Sequence, residues 1–218
     1  MSILITGANR GIGRALFDGY RAAGRDVIGT SRSGAAPEGE WLPLEVTDPQ
    51  EHRALAARMA GRPVELLVCN AGVKLDDGQS LNAGYPAAMW ADSFAVNVAG
   101  VFLTVQALLP NLRAADNPKI AIISSQLGSS ERASGGLLIY RASKAASLNL
   151  GRNLAAELKE DGIAVGIYHP GWVATDLGSK GAPLTPEASA TGLIARFDEL
   201  DMTTTGCFLT WEGKPHPY

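Results

Sequence analysis

Tyr140 and Lys144, in the run Tyr140-Arg141-Ala142-Ser143-Lys144, are the most reactive pairing in this 218-residue chain. Four positions is about one helical turn, so on a helix the phenol and the ammonium share a face. A free tyrosine ionises at about pH 10, and a neighbouring cation favours the phenolate. The spacing therefore predicts a lowered Tyr140 pKa and a general acid/base able to exchange a proton near neutrality. Upstream, Ile122-Ile123-Ser124-Ser125 ends an apolar run in hydroxyls, from which Ser125 can donate to a carbonyl oxygen. Asn97 interrupts the apolar stretch Phe94-Ala95-Val96-Asn97-Val98.

Different chemistry lies near the start of the chain. Thr6-Gly7-Ala8-Asn9-Arg10-Gly11-Ile12-Gly13 follows the apolar Ile3 to Ile5 and precedes Arg14-Ala15-Leu16-Phe17, the pattern of a strand, a glycine turn and a helix. Glycine supplies backbone freedom and no Cβ, so a pyrophosphate can approach the unpaired N–H groups at the helix N-terminus. Gly7, Asn9, Arg10, Gly11, Ile12 and Gly13 are expected to form that cradle. An acidic residue ending the second strand would accept an adenosine 2′-hydroxyl and repel a 2′-phosphate. The chain has Ser31 and Arg32 there, and Arg10 adds a second cation, so NADP(H) is favoured over NAD(H).

These residues need a scaffold to bring them together. Strand-length apolar runs at Ile3 to Thr6, Val27 to Thr30, Val64 to Cys69, Ile120 to Ser124 and Ile163 to Tyr168 alternate with longer helical patterns. The alternation implies an α/β fold, a doubly wound parallel sheet of about seven strands with helices on both faces. Residues at the carboxyl ends of such strands face the ligand, which is where Ser125 would stand. The repeats Trp90, Phe94, Val98, Phe102, Val105 and Leu150, Leu154, Leu158 are each expected to supply one buried helix face. No stretch has the composition of an interdomain linker, Ser33 to Gly39 and Ser179 to Pro186 read as exposed loops, and residues 1–218 are expected to form one domain.

A net charge of −3, with no basic cluster, argues against nucleic acid and anionic membrane as partners. Phe94 to Leu109 is broken by Asn97, Thr104 and Gln106, short of the roughly 18 apolar residues of a membrane span, so no transmembrane helix is expected. Thr6-Gly7 cuts off the first apolar run before it reaches signal-peptide length, which predicts a cytoplasmic protein. Cys69 and Cys207 lack C-x-x-C or zinc spacing and read as reduced core residues, and His52, His169 and His216 have no nucleophile or metal partner spaced around them. No metal site is expected.

The spacing T-G-x-x-x-G-x-G, followed by Asn97, Ser125, Tyr140 and Lys144 in order, resembles the short-chain dehydrogenase/reductase family and not its extended epimerase branch, which usually shows T-G-x-x-G-x-x-G. Likeness to Sniffer and C-factor-like carbonyl reductases continues through Ser134-Gly135-Gly136, Asn149, His169-Pro170-Gly171-Trp172-Val173, Thr175-Asp176, Thr185-Pro186-Glu187 and Phe208-Leu209. The resemblance implies a Rossmann-type oxidoreductase that moves a hydride between a nicotinamide and a carbonyl or alcohol. Within it, Tyr140 exchanges the proton, Ser125 polarises the oxygen, Lys144 binds the nicotinamide ribose and lowers the Tyr140 pKa, and Asn97 holds a relay water. It also implies a cofactor wall of Glu45-Val46, where the family commonly has Asp-Val, and of Asn70-Ala71-Gly72, preceded by Cys69 in place of a frequent Asn. Pro170, Gly171, Val173 and Thr175 would close over the nicotinamide. Gln126, Leu127, Leu137, Leu138, Trp172 and Leu177 would line the substrate pocket, the apolar ones suiting an apolar carbonyl compound, with Arg132 and Lys180 open either to an acidic substrate or to solvent. His169 is read as structural. The helices Trp90 to Leu109 and Leu137 to Leu158 resemble family subunit contacts, implying a homo-oligomer, dimer or tetramer. A cofactor-binding regulatory or signalling protein with little turnover is the alternative on the same fold.

Overall fold

The computed structural model describes residues 1–34, 38–179 and 181–218. Seven parallel strands form one sheet: β1 (Ser2–Ile5), β2 (Asp26–Ser31), β3 (Glu40–Pro43), β4 (Val64–Cys69), β5 (Lys119–Ile123), β6 (Ala164–His169) and β7 (Phe208–Thr210). Their spatial order is β3-β2-β1-β4-β5-β6-β7, so the strand order reverses between β1 and β4. At such a switch point the loops leaving neighbouring strands diverge and open a crevice at the carboxyl edge. The five strands named from apolar runs are present, β4 with the same bounds and the other four differing by a residue at their ends, as is usual there. The two edge strands β3 and β7 have four and three residues and are mostly half-buried, too short to announce themselves by period.

Helices α1 (Gly11–Ala22) and α6 (Pro186–Glu199) lie side by side on one face, where Leu16, Phe17, Leu193 and Phe197 join Ile3, Ile5, Val68 and Tyr168 in a buried cluster. The opposite face is covered by α2 (Pro49–Arg58), α4 (Gly100–Arg113) and α5 (Leu138–Glu157). Leu55, Val101, Leu108 and Leu154 there meet Leu4, Leu67 and Ile122. Asp48 and Thr185 cap α2 and α6, accepting from Gln50 N at 2.7 Å and Ala188 N at 3.2 Å, each with a proline beginning the helix.

Between β4 and β5 the chain runs as α3 (Ala87–Phe94), a π-helical turn (Ala95–Ala99) and α4. Together they make one 27-residue helix, Ala87–Arg113, with a mean hydropathy of 1.6 in its most apolar window, long and apolar enough by those measures to cross a membrane. The interruptions that argued against a span in the sequence do not shorten this helix. Two of them, Asn97 and Thr104, instead face inward with Asn111, buried and bonded within the fold, Asn111 to the carbonyls of Met59 and Arg62 and Thr104 to His52 and Gly100, whereas Gln106 is exposed. Consequently the repeat Trp90, Phe94, Val98, Phe102, Val105 is not one buried face. Val105 is buried, whereas Trp90 and Phe102 are exposed. Small and polar residues (Ser93, Asn97, Gly100, Thr104) take the inner face because the helix approaches closely there; a Cβ on Gly100 would lie 3.0 Å from Val46.

Candidate active site

Gly7 and Gly11 adopt φ of 62° and 55°, which favour glycine, and Gly13 is held by contact: a Cβ there would lie 2.4 Å from both Asn70 Nδ2 and the Gly7 carbonyl oxygen. The α1 N-terminus that follows has no side-chain cap on Arg10 and no acid in its first turn. Its first N–H groups thus lack the usual side-chain acceptors, as suits an anion. Thr6, the first residue of the T-G-x-x-x-G-x-G motif but given no role of its own in the sequence reading, knits this loop to the turn after β4. Its hydroxyl accepts from Asn70 N at 3.0 Å and Ala71 N at 3.1 Å, while Asn70 Nδ2 donates back to the carbonyls of Thr6 and Gly7 at 2.9 and 3.0 Å. The signal for Thr6 was its place between strand and first glycine.

At the end of β2, Ser31 is buried and Arg32 exposed. Arg10, expected to meet a phosphate, instead pairs with Asp176 at 2.9 Å, both side chains being largely exposed. Such a pair contributes under about 1 kcal/mol and yields readily to a stronger anion. The same loop brings the Thr175 methyl within 3.2 Å of where a Gly11 Cβ would stand, so residues 173–178 lean over the glycine turn. Val46 is buried against Gly100, whereas the Glu45 carboxylate accepts from the backbone and hydroxyl of Thr47 at 3.2 and 3.1 Å, a local turn. Pro170 is fixed by Ser189, whose hydroxyl donates to its carbonyl at 2.7 Å, and Gly171 turns the chain at φ 91°.

Tyr140, Ser125, Lys144 and Asn97 converge at the carboxyl edge, all buried. Ser125 ends the β5 run, and its hydroxyl accepts from Leu127 N at 3.1 Å. Ser124 takes the structural part, bonding the Lys144 carbonyl at 3.1 Å and the Ser147 hydroxyl at 3.3 Å. The lowered tyrosine pKa expected from spacing is not what the protein alone provides. Burial pushes the Tyr140 phenol up to about 12, the Ser125 hydrogen bond opposing and the Asp76 charge reinforcing it. Burial likewise pushes Lys144 down to about 8. Its Nζ lies 5.8 Å from the Tyr140 ring centre and donates to the Ile123 carbonyl at 3.0 Å, so desolvation outweighs the neighbouring cation.

Asn97 sits in the π-helical turn with its whole amide engaged. Oδ1 accepts from Val73 N, and Nδ2 donates to the Val73 carbonyl and the Ser143 hydroxyl, each at 2.9 Å. Ser143 passes its own hydrogen to the Tyr140 carbonyl at 2.8 Å. A Cβ on Gly72 would stand 3.2 Å from Asn97 Oδ1 and 3.4 Å from Lys144 Nζ, which puts the end of the Asn70-Ala71-Gly72 turn between them.

Around this group, Gln126 and Leu127 form a short 3-10 turn, Leu137 adopts a left-handed φ of 49° before α5, and Leu177 is half-buried. Trp172 is 56% exposed, its indole donating to the Gly178 carbonyl at 2.5 Å. Val173 is buried and bridges to Leu184. Arg132 is exposed, and Lys180 lies outside the described residues. His169 is pushed down to about 4, first by burial and then by His216 and Arg132, and a neutral packed imidazole suits a structural residue. His52 is held between the Asp48 carbonyl and Thr104. Among the described residues no group of three or more His, Cys, Asp or Glu is arranged to hold a metal.

Residues 1–183 match the short chain dehydrogenase family. Across 97% of both chains, the protein is 34% identical to 1-hydroxy-2-glutathionyl-2-methyl-3-butene dehydrogenase of Rhodococcus sp. (strain AD45). Among solved structures it is similar to the NADPH-bound carbonyl reductase from chicken fatty liver, at 31% identity and a TM-score of 0.90 over 100% of this chain and 98% of that one. It is also similar to the carbonyl reductase Sniffer of D. melanogaster, at 25% identity and a TM-score of 0.91 over 100% and 99%.

The clearance at Gly13 yields a direct expectation: Gly13→Ala forces the Asn70 amide off the glycine loop and weakens nicotinamide-dinucleotide binding by about tenfold or more. Fluorescence titration with NADPH reads it, and unchanged affinity would show that the loop is not the cradle.

Proposed function

The chain belongs to the short-chain dehydrogenase/reductase family, on its Sniffer-like and C-factor-like branch, and from that premise we propose an NADP(H)-dependent carbonyl reductase acting on a small apolar carbonyl compound. One observation carries the reading: a buried phenol, Tyr140, stands with the buried Ser125, Lys144 and Asn97 at the carboxyl edge of the sheet, in the crevice that the glycine loop also borders. A nicotinamide held there supplies or accepts the hydride.

Gly7, Gly11, Gly13 and the open end of α1 hold the pyrophosphate, the glycine cradle being one that added Cβ atoms would fill. Arg32, with Arg10 once it leaves Asp176, meets the 2′-phosphate, and the NADPH bound to the chicken relative supports this choice. Ser125 donates to the substrate oxygen and orients it. Tyr140 then gives that oxygen its proton, for which a phenol that stays protonated far above neutrality is suited. Lys144 holds the ribose hydroxyls and passes a proton back toward Tyr140. Both Asn97 hydrogens are spent on Val73 and Ser143, so any relay water must donate to an Asn97 oxygen. Leu127, Leu137, Trp172 and Leu177 supply the apolar wall, with Gln126 as its polar member.

NADPH oxidation across aldehydes, ketones, diketones and quinones is the test. Tyr140→Phe should cut turnover by about 10²-fold or more with NADPH still bound. Near-normal turnover in that variant would refute the assignment, and tight NADPH binding without turnover of any carbonyl would favour a regulatory protein. Arg32→Asp should move the preference toward NADH by about tenfold or more, as loss of a charge-assisted phosphate contact requires; an unchanged NADPH:NADH ratio would remove Arg32 from the site. The exposed Trp90 and Phe102, with Phe94 stacked on Trp90, are proposed as a contact between copies of the chain. Phe102→Glu should then lower the mass seen by light scattering, and an unchanged mass would place the contact elsewhere.

A further inference from the structure

The helix that carries Tyr140 begins without a cap of its own. Leu137, its N-cap, offers no side-chain acceptor, and the residues before it, Gly135 and Gly136, turn with φ of 76° and 66° in an exposed loop. Its early N–H groups are nonetheless buried with Ile139 and Tyr140, where unpaired donors would be costly. The acceptor comes from far upstream. Asp76 Oδ2 takes the N–H of Ile139 at 2.8 Å and that of Tyr140 at 3.2 Å, across 63 and 64 positions of sequence, and Asp76 is 1% exposed.

We propose that Asp76 is a positioning residue for the Tyr140 acid/base: its buried carboxylate fixes the first turn of α5 and holds the phenol against Ser125. This rests on the reading of Tyr140 given above. Two further features support a role beyond filling space. First, the segment bearing Asp76 is itself anchored, since Asn97 grips Val73 through both backbone N and O three residues earlier. Second, a neutral Ser or Asn would cap a helix with less desolvation. The chain instead buries a carboxylate whose other oxygen, Oδ1, takes no hydrogen bond among the described residues. What a charge adds is a field at the Tyr140 phenol, whose backbone the same carboxylate holds. Asp76 is among the influences that raise Tyr140 above its ordinary value, after burial and against the Ser125 hydrogen bond.

The other charges around the pair are few. Lys74 and Asp77, on the Asp76 segment, pair with each other at 3.1 Å. On α5, Arg141 is tied outward to Gly136 and Ser134, and Lys144 bonds Ile123. A negative charge disfavours the phenolate, so removing it lowers the Tyr140 pKa. In carbonyl reduction, where Tyr140 must be protonated, the alkaline limb of the rate profile then moves to lower pH. In alcohol oxidation, where the phenolate accepts the proton, the acidic limb moves the same way and the rate at neutral pH rises.

The experiment compares Asp76→Asn and Asp76→Ala with the unaltered protein, following NADPH-dependent reduction and NADP⁺-dependent oxidation from pH 5 to 10, with Tyr140→Phe in parallel and folding monitored by circular dichroism. Asp76→Asn keeps an oxygen for both N–H groups and loses the charge, so both limbs should shift down by about half a pH unit or more. Asp76→Ala loses the cap as well, and kcat should fall about tenfold below that of Asp76→Asn while the NADPH KM holds. Limbs that stay in place in Asp76→Asn, with Tyr140→Phe inactive, would overturn the proposal and leave the Tyr140 reading intact. A Tyr140→Phe that still turns over would overturn both. Should Asp76→Ala fail to fold, the limb positions of Asp76→Asn decide.

Discussion

The carboxamide of Asn97 makes three hydrogen bonds out of water, and the site is arranged around them. Two clamp the backbone of Val73 by its N–H and its carbonyl, and the third reaches Ser143 on α5. Each partner lost in such a place costs about 1–3 kcal/mol, because the group left behind has no water to turn to. The clamp joins three elements that chain order keeps apart: the loop after β4, the π-helical turn and the helix of Tyr140 and Lys144. From the loop, Asp76 extends the connection to the first turn of α5, and Ser143 closes it through the Tyr140 carbonyl. A short polar residue allows α3 and α4 to lie close beneath this junction, while Trp90 and Phe102 of that helix face outward.

Dryness at the junction has a chemical effect of its own. It holds Tyr140 as a phenol, up at about 12, and brings Lys144 down to about 8, so the ground state of the protein alone favours the proton donor. Proximity of a cation and an acid does not fix the sign of a pKa shift; the competition between desolvation and charge does. The same environment would strengthen a hydrogen bond from Ser125 to a developing oxyanion, for which little reorganisation would be needed.

Much of this was legible in the chain itself. Alternating apolar runs predicted a parallel α/β sheet, the glycine spacing located the tight turn between β1 and α1, and Asn97, Ser125, Tyr140 and Lys144, which the fold brings together, were recognisable by type and order. What could not be read depended on burial or on distance along the chain. Asp76 and Thr6 act on partners more than 60 positions away, in hydrogen bonds that no local pattern encodes. Tyr140 looked acidic because spacing shows Lys144 and conceals the desolvation. Trp90 and Phe102 looked buried because periodicity identifies an apolar stripe without saying whether the sheet lies under it. Arg10 was read for a phosphate, and its Asp176 partner went unseen because it comes from the loop after β6, 166 positions on.

The central claim is that one buried amide holds the β4 loop and the helix of Tyr140 and Lys144 as a unit. Native-state hydrogen exchange in Asn97→Ala tests it most directly. The Val73, Ile139 and Tyr140 amides, all bonded to side chains of this network, should lose protection together while Val68 and Ile122 in the central strands keep theirs. Loss at Val73 alone, with Ile139 and Tyr140 still protected, would show that the two elements are held independently and would contradict the account.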